Sequence, residues 1–189
     1  MIPADPATGA IDPDIVASLV DENTCLLSVM SASNVTGAIM DIGAIVRKAR
    51  EKKPDLYILS DAVQHAPHGA LDVRQLGVDG MNIAPYKFFG VRGCGFAWVS
   101  DRMARLPHRK LLEKDQTVFA LGTPAPGNFA AMLAVIDYVC QLGAQVRGKR
   151  DRRTLYRAGM ERIHLQERAL LHRLLEGTDA LPGLRLPAG

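Results

Sequence analysis

TCLLSVMSASNVTGAIMDIGAIVRKAREKKPDLYILSD, residues 24–61, decides the fold. Residues 24–30 are a compact apolar run of strand length, and the polar turn SASNVTG ends it. Asp41 then stands where an N-cap belongs. After it, Ile42, Ile45, Val46 and Ala49 recur at helical spacing, with Arg47, Lys48 and Arg50 on the wet face. Lys53-Pro54 stops this helix, because proline lacks an amide donor and pushes the residue before it out of helical geometry. Leu56–Ser60 is a second apolar run. Strand, helix and strand follow one another, with apolar runs in place of strict alternation. That is the pattern of a mostly parallel sheet buried on both faces.

The flanking sequence extends this α/β reading. Residues 1–10 are rich in Pro, Gly and Ala and read as loop. Asp12 caps a short helix that starts at Pro13 and runs to about Val20. Leu71–Leu76 forms a helical turn closed by Gly77, and Gly80–Ala84 and Cys94–Ser100 read as two more strands. A mainly apolar helix covers residues 127–146. After Gly148 a long polar helix runs to about Glu176, where Gly177 ends it. Between residues 146 and 175 stand nine Arg or Lys and three Asp or Glu, so the chain's positive charge gathers there. That face suits a partner or nucleic acid, or is a solvated surface whose Ile163, Leu170, Leu171 and Leu174 turn to a core.

With 189 residues, 48% hydrophobic and 23% charged, the chain can bury a core and is not disordered as a whole. A net charge of +3 argues for neither nucleic acid nor membrane as a partner. Cys25, Cys94 and Cys140 are odd in number and widely spaced, which fits a reducing compartment and no disulfide framework. The first residues carry no signal-peptide pattern, and the apolar stretch Phe129–Val139 is short and holds Asp137. The expectation is a soluble cytoplasmic protein.

Ligands of parallel α/β sheets bind beyond the carboxyl ends of the strands. Here Asn34 follows the first strand, Asp61 ends the second and Lys87 follows the third, so an amide, a carboxylate and an amine can share one site. Lys87 lies between Tyr86 and Phe88-Phe89, in a segment that holds half of the chain's aromatics. An apolar setting lowers a lysine's pKa and makes its amine a nucleophile able to form a Schiff base, although a surface lysine in an aromatic turn fits the same residues. Asp61 suits either a cap for the following turn or a partner for a pyridinium nitrogen, and Gln64 can donate to a ring hydroxyl.

SASNVTGAI, SDAVQHAPHGALDV, a lysine 26 residues beyond the aspartate, and FALGTPAPGN together resemble the class V aminotransferases, pyridoxal-phosphate enzymes of fold type I. The family includes cysteine desulfurases, selenocysteine lyases and kynureninase, and the resemblance spans residues 5–184. It implies Lys87 as the catalytic Schiff-base lysine, Asp61 on the pyridine nitrogen, Gln64 on the ring hydroxyl and Asn34 beside the cofactor. It also implies a homodimer in which Thr123 reaches the phosphate in the partner subunit, and a small amino acid as substrate. The same resemblance implies that residues 1–146 are part of a large domain, and that 147–189 are a long helix leading into a second, smaller one. Desulfurase-like members carry a serine and a histidine where this chain has Ala84 and Tyr86, so one phosphate hydroxyl is lost, for which the Tyr86 phenol can substitute, and the Tyr-Lys pair is more like kynureninase. None of the three cysteines matches the desulfurases' sulfur-accepting position, and Cys94 reads as packing. Family members extend further at both ends, so the chain resembles the middle of an enzyme, and a fold-retaining binding or assembly subunit is the alternative.

Three other patterns are weaker. Asp61, His65 and His68 share a loop, but Pro67 and the lack of a helix leave no metal-ligand spacing. Glu161 and His164 form half of a di-iron motif with no second copy. Gly90, Gly93 and Gly95 precede a strand, so they suit close backbone packing better than a phosphate loop.

Overall fold

The computed structural model describes residues 1–109, 125–178 and 181–184. One sheet holds β1 (Leu26–Met30), β2 (Tyr57–Asp61), β3 (Gly80–Ile83) and β4 (Phe96–Val99), side by side in that order. β1, β2 and β3 run parallel, and β4 returns antiparallel. The reversal follows from the connection. Residues 84–95 hold only a single 3-10 turn, Pro85–Lys87, and a parallel return needs a crossover with a helix.

The helices are α1 (Pro13–Ser18), α2 (Ile42–Lys52), α3 (Val73–Leu76), α4 (Asp101–Ala104), α5 (Pro126–Arg147) and α6 (Arg152–Thr178). Asp12, Asp41 and Asp72 cap α1, α2 and α3 by accepting from the Asp14, Ala44 and Arg74 amides. Gly77 closes α3 at φ +71°, the left-handed conformation that glycine adopts without strain. α4, absent from the sequence reading, is capped by Ser100.

Leu27, Val29 and Ile58 pack against Ile42, Ile45, Val46 and Ala49 of α2, the face expected to be apolar. Arg50 is not on the wet face as expected. Together with Arg102 it reaches Asp79, whose buried carboxylate also accepts from the Ile58 amide and the Ser100 hydroxyl. Burial pushes the Asp79 carboxyl up, but the Arg102 hydrogen bond, the Ile58 amide, the Ser100 hydroxyl and the Arg102 charge outweigh it and leave its pKa below the ordinary value. This network ties α2, β2 and α4 together at the amino end of the sheet.

Two expectations about burial are corrected. The sheet is not covered on both faces, for Leu26 is 50% and Met30 43% exposed on the face away from α2. Nor do Leu170, Leu171 and Leu174 face a core, since all three are exposed. Burial between α5 and α6 is concentrated around Val135, Val139, Cys140, Gly159 and Met160. There the two backbones approach so closely that a Cβ on Gly143 would lie 1.9 Å from the Leu155 carbonyl oxygen, and one on Gly159 2.0 Å from that of Val139.

Helix lengths differ from expectation as well. α6 runs through Gly177 to Thr178, because i−4 hydrogen bonding tolerates one glycine near a helix end. α5 has 22 residues and, by length and composition alone, is long enough to cross a membrane, so the shortness of its apolar core is no argument against a span. In this structure it pairs with α6, and its Asp137 meets Arg152 at 2.6 Å.

Candidate functional site

The register of the sheet sets the site. Met30, Asp61, Asn82 and Ala97 are successive partners across the four strands, so they form one row on the uncovered face. Strand alternation puts the neighbouring Ser60 on the opposite, buried face, where its hydroxyl meets that of Ser31 at 2.7 Å. This buried pair joins the ends of β1 and β2 directly beneath Asp61.

Asp61 Oδ1 accepts from the Val63 amide at 2.9 Å and from the Asn82 side-chain amide at 3.1 Å. The cap reading and the ligand reading of Asp61 are therefore compatible. One oxygen fixes the turn, and Oδ2 has no partner among the described residues. Asn82 was missed from the sequence. Its signal is there, a polar residue in the apolar run GMNI, one strand over from the aspartate.

Lys87 ends the 3-10 turn that follows β3. Its side chain is half-buried, and among the described residues its amine meets no carboxylate. Nζ lies 5.7 Å from the centre of the Tyr86 ring, which the Arg92 guanidinium also covers at 4.6 Å. The aromatic surroundings expected for this lysine are one-sided. Successive side chains in a 3-10 turn diverge by about 120°, so the neighbours cannot all enclose it. Tyr86 turns to solvent, whereas Phe88, 1% exposed, plugs a core of Val135, Val139 and Met160. Its ring meets Tyr156 edge-on at 6.5 Å, and burial in this cluster raises the Tyr156 phenol to about 12. Phe89 takes φ +56°, unusual for an aromatic residue, and packs on Tyr138. Gly90 lies against Pro85, where a Cβ would be 2.9 Å from the Pro85 carbonyl oxygen, as the close-packing reading expects. That reading does not extend to Gly93, which faces open space and takes φ +95° instead, nor to Gly95, where a Cβ would be in ordinary contact 3.6 Å from the Ile83 carbonyl oxygen. Phe88 and Phe89 thus moor the lysine turn to the helix pair.

Asn34 stands exposed in the loop after β1, and Gln64 follows β2. Together they line a cavity of about 470 Å³ with His65, His68, His164 and Glu167, to which Asp61 and Lys87 do not contribute. The structure therefore divides the expected residues between an Asp61–Asn82 row, the moored Lys87 turn and this cavity. His68 Nδ1 pairs with Glu167 at 2.9 Å, fastening the Gln64 loop to α6. His65 is half-buried with Nδ1 unpartnered, and burial together with His68 and His164 lowers its pKa. Among the described residues no three His, Cys, Asp or Glu side chains gather as a metal ion would require. Thr123 lies outside the described residues. Cys25 is exposed, Cys94 half-buried and Cys140 buried, all with free thiols.

These features can be compared with known proteins. The sequence profile of the aminotransferase class-V family matches residues 2–188. A probable cysteine desulfurase of Xylella fastidiosa is 28% identical over 94% of this chain and 42% of its own length. A cysteine desulfurase of Yersinia pestis is 31% identical over 72% of this chain and 37% of its own length. The chain therefore spans less than half the length of the curated relatives it matches. The apo cysteine desulfurase from Thermococcus onnurineus superimposes with a TM-score of 0.71 over 95% of this chain and 44% of that one, at 22% identity. A strand order with a parallel core and one antiparallel return, an aspartate at the carboxyl end of β2 and a lysine on the exit of β3 thus occur in a chain that belongs to the class-V aminotransferase family.

Proposed function

We propose that this chain is the cofactor-binding core of a pyridoxal-phosphate-dependent enzyme that acts on an amino acid, with cysteine the first candidate because relatives are named cysteine desulfurases. The observation that carries this reading is the state of Asp61. Two donors hold its Oδ1 at the carboxyl edge of the sheet, and Oδ2, which has no partner among the described residues, is available to a ring N–H. The donor set also fits the group. An amine with no carboxylate partner among the described residues sits on the next strand's exit, while the amides of Asn34 and Gln64 border a separate cavity beside β2, to which Asp61 and Lys87 do not contribute.

When bound, pyridoxal phosphate draws electrons from the substrate's α-carbon. Asp61 would hold the ring nitrogen protonated. Gln64 would donate to the ring hydroxyl, with Asn34 beside the cofactor, and the exposed Tyr86 phenol would donate to the phosphate. Lys87 would hold the cofactor's carbonyl carbon covalently. As a free amine, Lys87 would accept the proton from the substrate's α-carbon and carry it as an ammonium until it is given back. The turn's moorings through Phe88 and Phe89 keep that amine in place. A homodimer belongs to this reading, because the family pattern assigns Thr123 to the partner subunit's phosphate.

The test is a spectral titration of the purified chain with pyridoxal phosphate, beside Lys87→Ala and Asp61→Asn. The reading expects a saturable visible band in the wild type, no such band in Lys87→Ala and weaker binding in Asp61→Asn. Equal spectra in all three would leave the chain a fold-retaining subunit without this chemistry.

A further inference from the structure

The positive charge of residues 146–175 is not spread evenly. Arg152 is paired with Asp137 at 2.6 Å, and Arg153 with Asp72 at 2.8 Å. A second group of arginines has no acidic partner among the described residues. Arg147, Arg150, Arg157 and Arg162 line one groove of about 860 Å³ between the end of α5 and the first half of α6. Arg162 is held by the neutral Gln145 side chain and the Leu142 carbonyl, and Arg150 by the Lys149 carbonyl at 3.5 Å. Among the described residues no carboxylate lies within ion-pair reach of any of the four. Among the described residues Glu161 is the single acid that lines the groove, so their lining carries a net +3.

The shape of the groove narrows the choice of ligand. Residues 154, 158, 162 and 166 form one i,i+4 row of α6, and residues 157, 161 and 165 the next. The groove thus follows the helix for about 18 Å. Two apolar side chains interrupt the arginines, Val146 at 62% and Leu165 at 57% exposure. Among the described residues no aromatic side chain lines it, so they offer no stacking platform for bases. Forked guanidiniums suit carboxylates, and interleaved apolar contacts suit a peptide's side chains.

We propose that this groove docks an acidic, amphipathic segment of a partner protein, with its carboxylates on Arg147, Arg150, Arg157 and Arg162 and its apolar residues on Val146 and Leu165. The inference is independent of the cofactor chemistry, because none of Asn34, Asp61, Gln64, Tyr86 and Lys87 lines the groove.

The probe is a fluorescent peptide of about 12 residues in which Glu and Leu alternate at helical spacing. Its binding is followed by anisotropy to wild type, to Arg147→Glu/Arg157→Glu, and to a control of equal charge change on α2, Arg47→Glu/Lys52→Glu. All four substituted residues are exposed, and circular dichroism confirms that each variant is folded. The proposal expects saturable binding that weakens with salt, falls about tenfold or more in the groove variant and stays within about twofold in the control. Three results would overturn it: no saturable binding at about 0.1 M salt, equal loss in both variants, or a uridine oligonucleotide bound more tightly than the peptide and lost in the groove variant.

Discussion

Truncating Phe88 to alanine separates the fold's contribution to Lys87 from that of Lys87 itself. The ring is 1% exposed and sits among Val135, Val139, Met160 and Tyr156, one residue from the lysine. Burying a ring of this size removes on the order of 150–200 Å² from water, worth about 4–5 kcal/mol at 25 cal/mol per Å². Truncations of this kind in packed cores cost about 3–5 kcal/mol. We therefore expect Phe88→Ala to lose about 4 kcal/mol, a large share of the 5–15 kcal/mol typical of a whole domain. Phe88→Leu, which keeps most of the volume, should lose about 1 kcal/mol. Urea denaturation reads both losses as a lower midpoint at unchanged slope. Under conditions where Phe88→Ala is still folded, borohydride trapping of pyridoxal phosphate on Lys87 should also fall, because the turn has lost its mooring. A loss below about 1 kcal/mol would show that Phe88 is not a core plug. A large loss with undiminished trapping would show that the plug does not position the lysine.

Three further outcomes follow from the packing and the charges. Gly143→Ala places a methyl carbon 1.9 Å from the Leu155 carbonyl oxygen, so α5 and α6 must separate. Overpacking should outweigh the gain in helix propensity, for a net loss of about 1–2 kcal/mol, read from the melting temperature. Asp79→Asn leaves Arg102 and Arg50 without their buried counter-charge and should cost about 3 kcal/mol by urea denaturation at pH 7. Because the folded Asp79 pKa lies below its unfolded value of 3.8, its contribution is present above that pH and lost as the pH falls through the folded value, so Asp79→Asn should flatten acid unfolding below about pH 4. His65 has a folded pKa below its unfolded 6.5, so the unfolded chain binds the extra proton first and stability falls as the pH drops through about 6.5. In His65→Leu that fall between pH 7 and 5.5 should shrink, and an unchanged slope would assign it to other groups.

The first half of the fold was legible because its signals are local. The Asp41 cap, the apolar face of α2 and the Pro54 stop place β1, α2 and β2 within a residue or two. Asp61 and Lys87 were legible for the same reason, as polar residues at the ends of apolar runs. What escaped depends on contacts distant in sequence. Asn82 acquires its role only through the register that sets it beside Asp61. Arg50 looks solvated on a helical wheel, yet 29 residues later Asp79 draws it inward. The inward turn of Phe88 and outward turn of Tyr86 are fixed by a helix pair that begins almost forty residues further on. On α6 the leucine spacing is genuine, but spacing cannot say whether a partner element exists to cover it, and Leu170, Leu171 and Leu174 are exposed.

The central claim is that Lys87 is the amine that holds the cofactor. It is tested most directly by treating the purified chain with stoichiometric pyridoxal phosphate, reducing with borohydride and mapping the modified peptides by mass spectrometry. The account predicts a single dominant pyridoxyl group, on Lys87, in the peptide that contains Tyr86 and Phe88, and its disappearance in Lys87→Ala with no compensating site. Modification spread over solvent-exposed lysines such as Lys52 and Lys149, at the same level in wild type and Lys87→Ala, would contradict it.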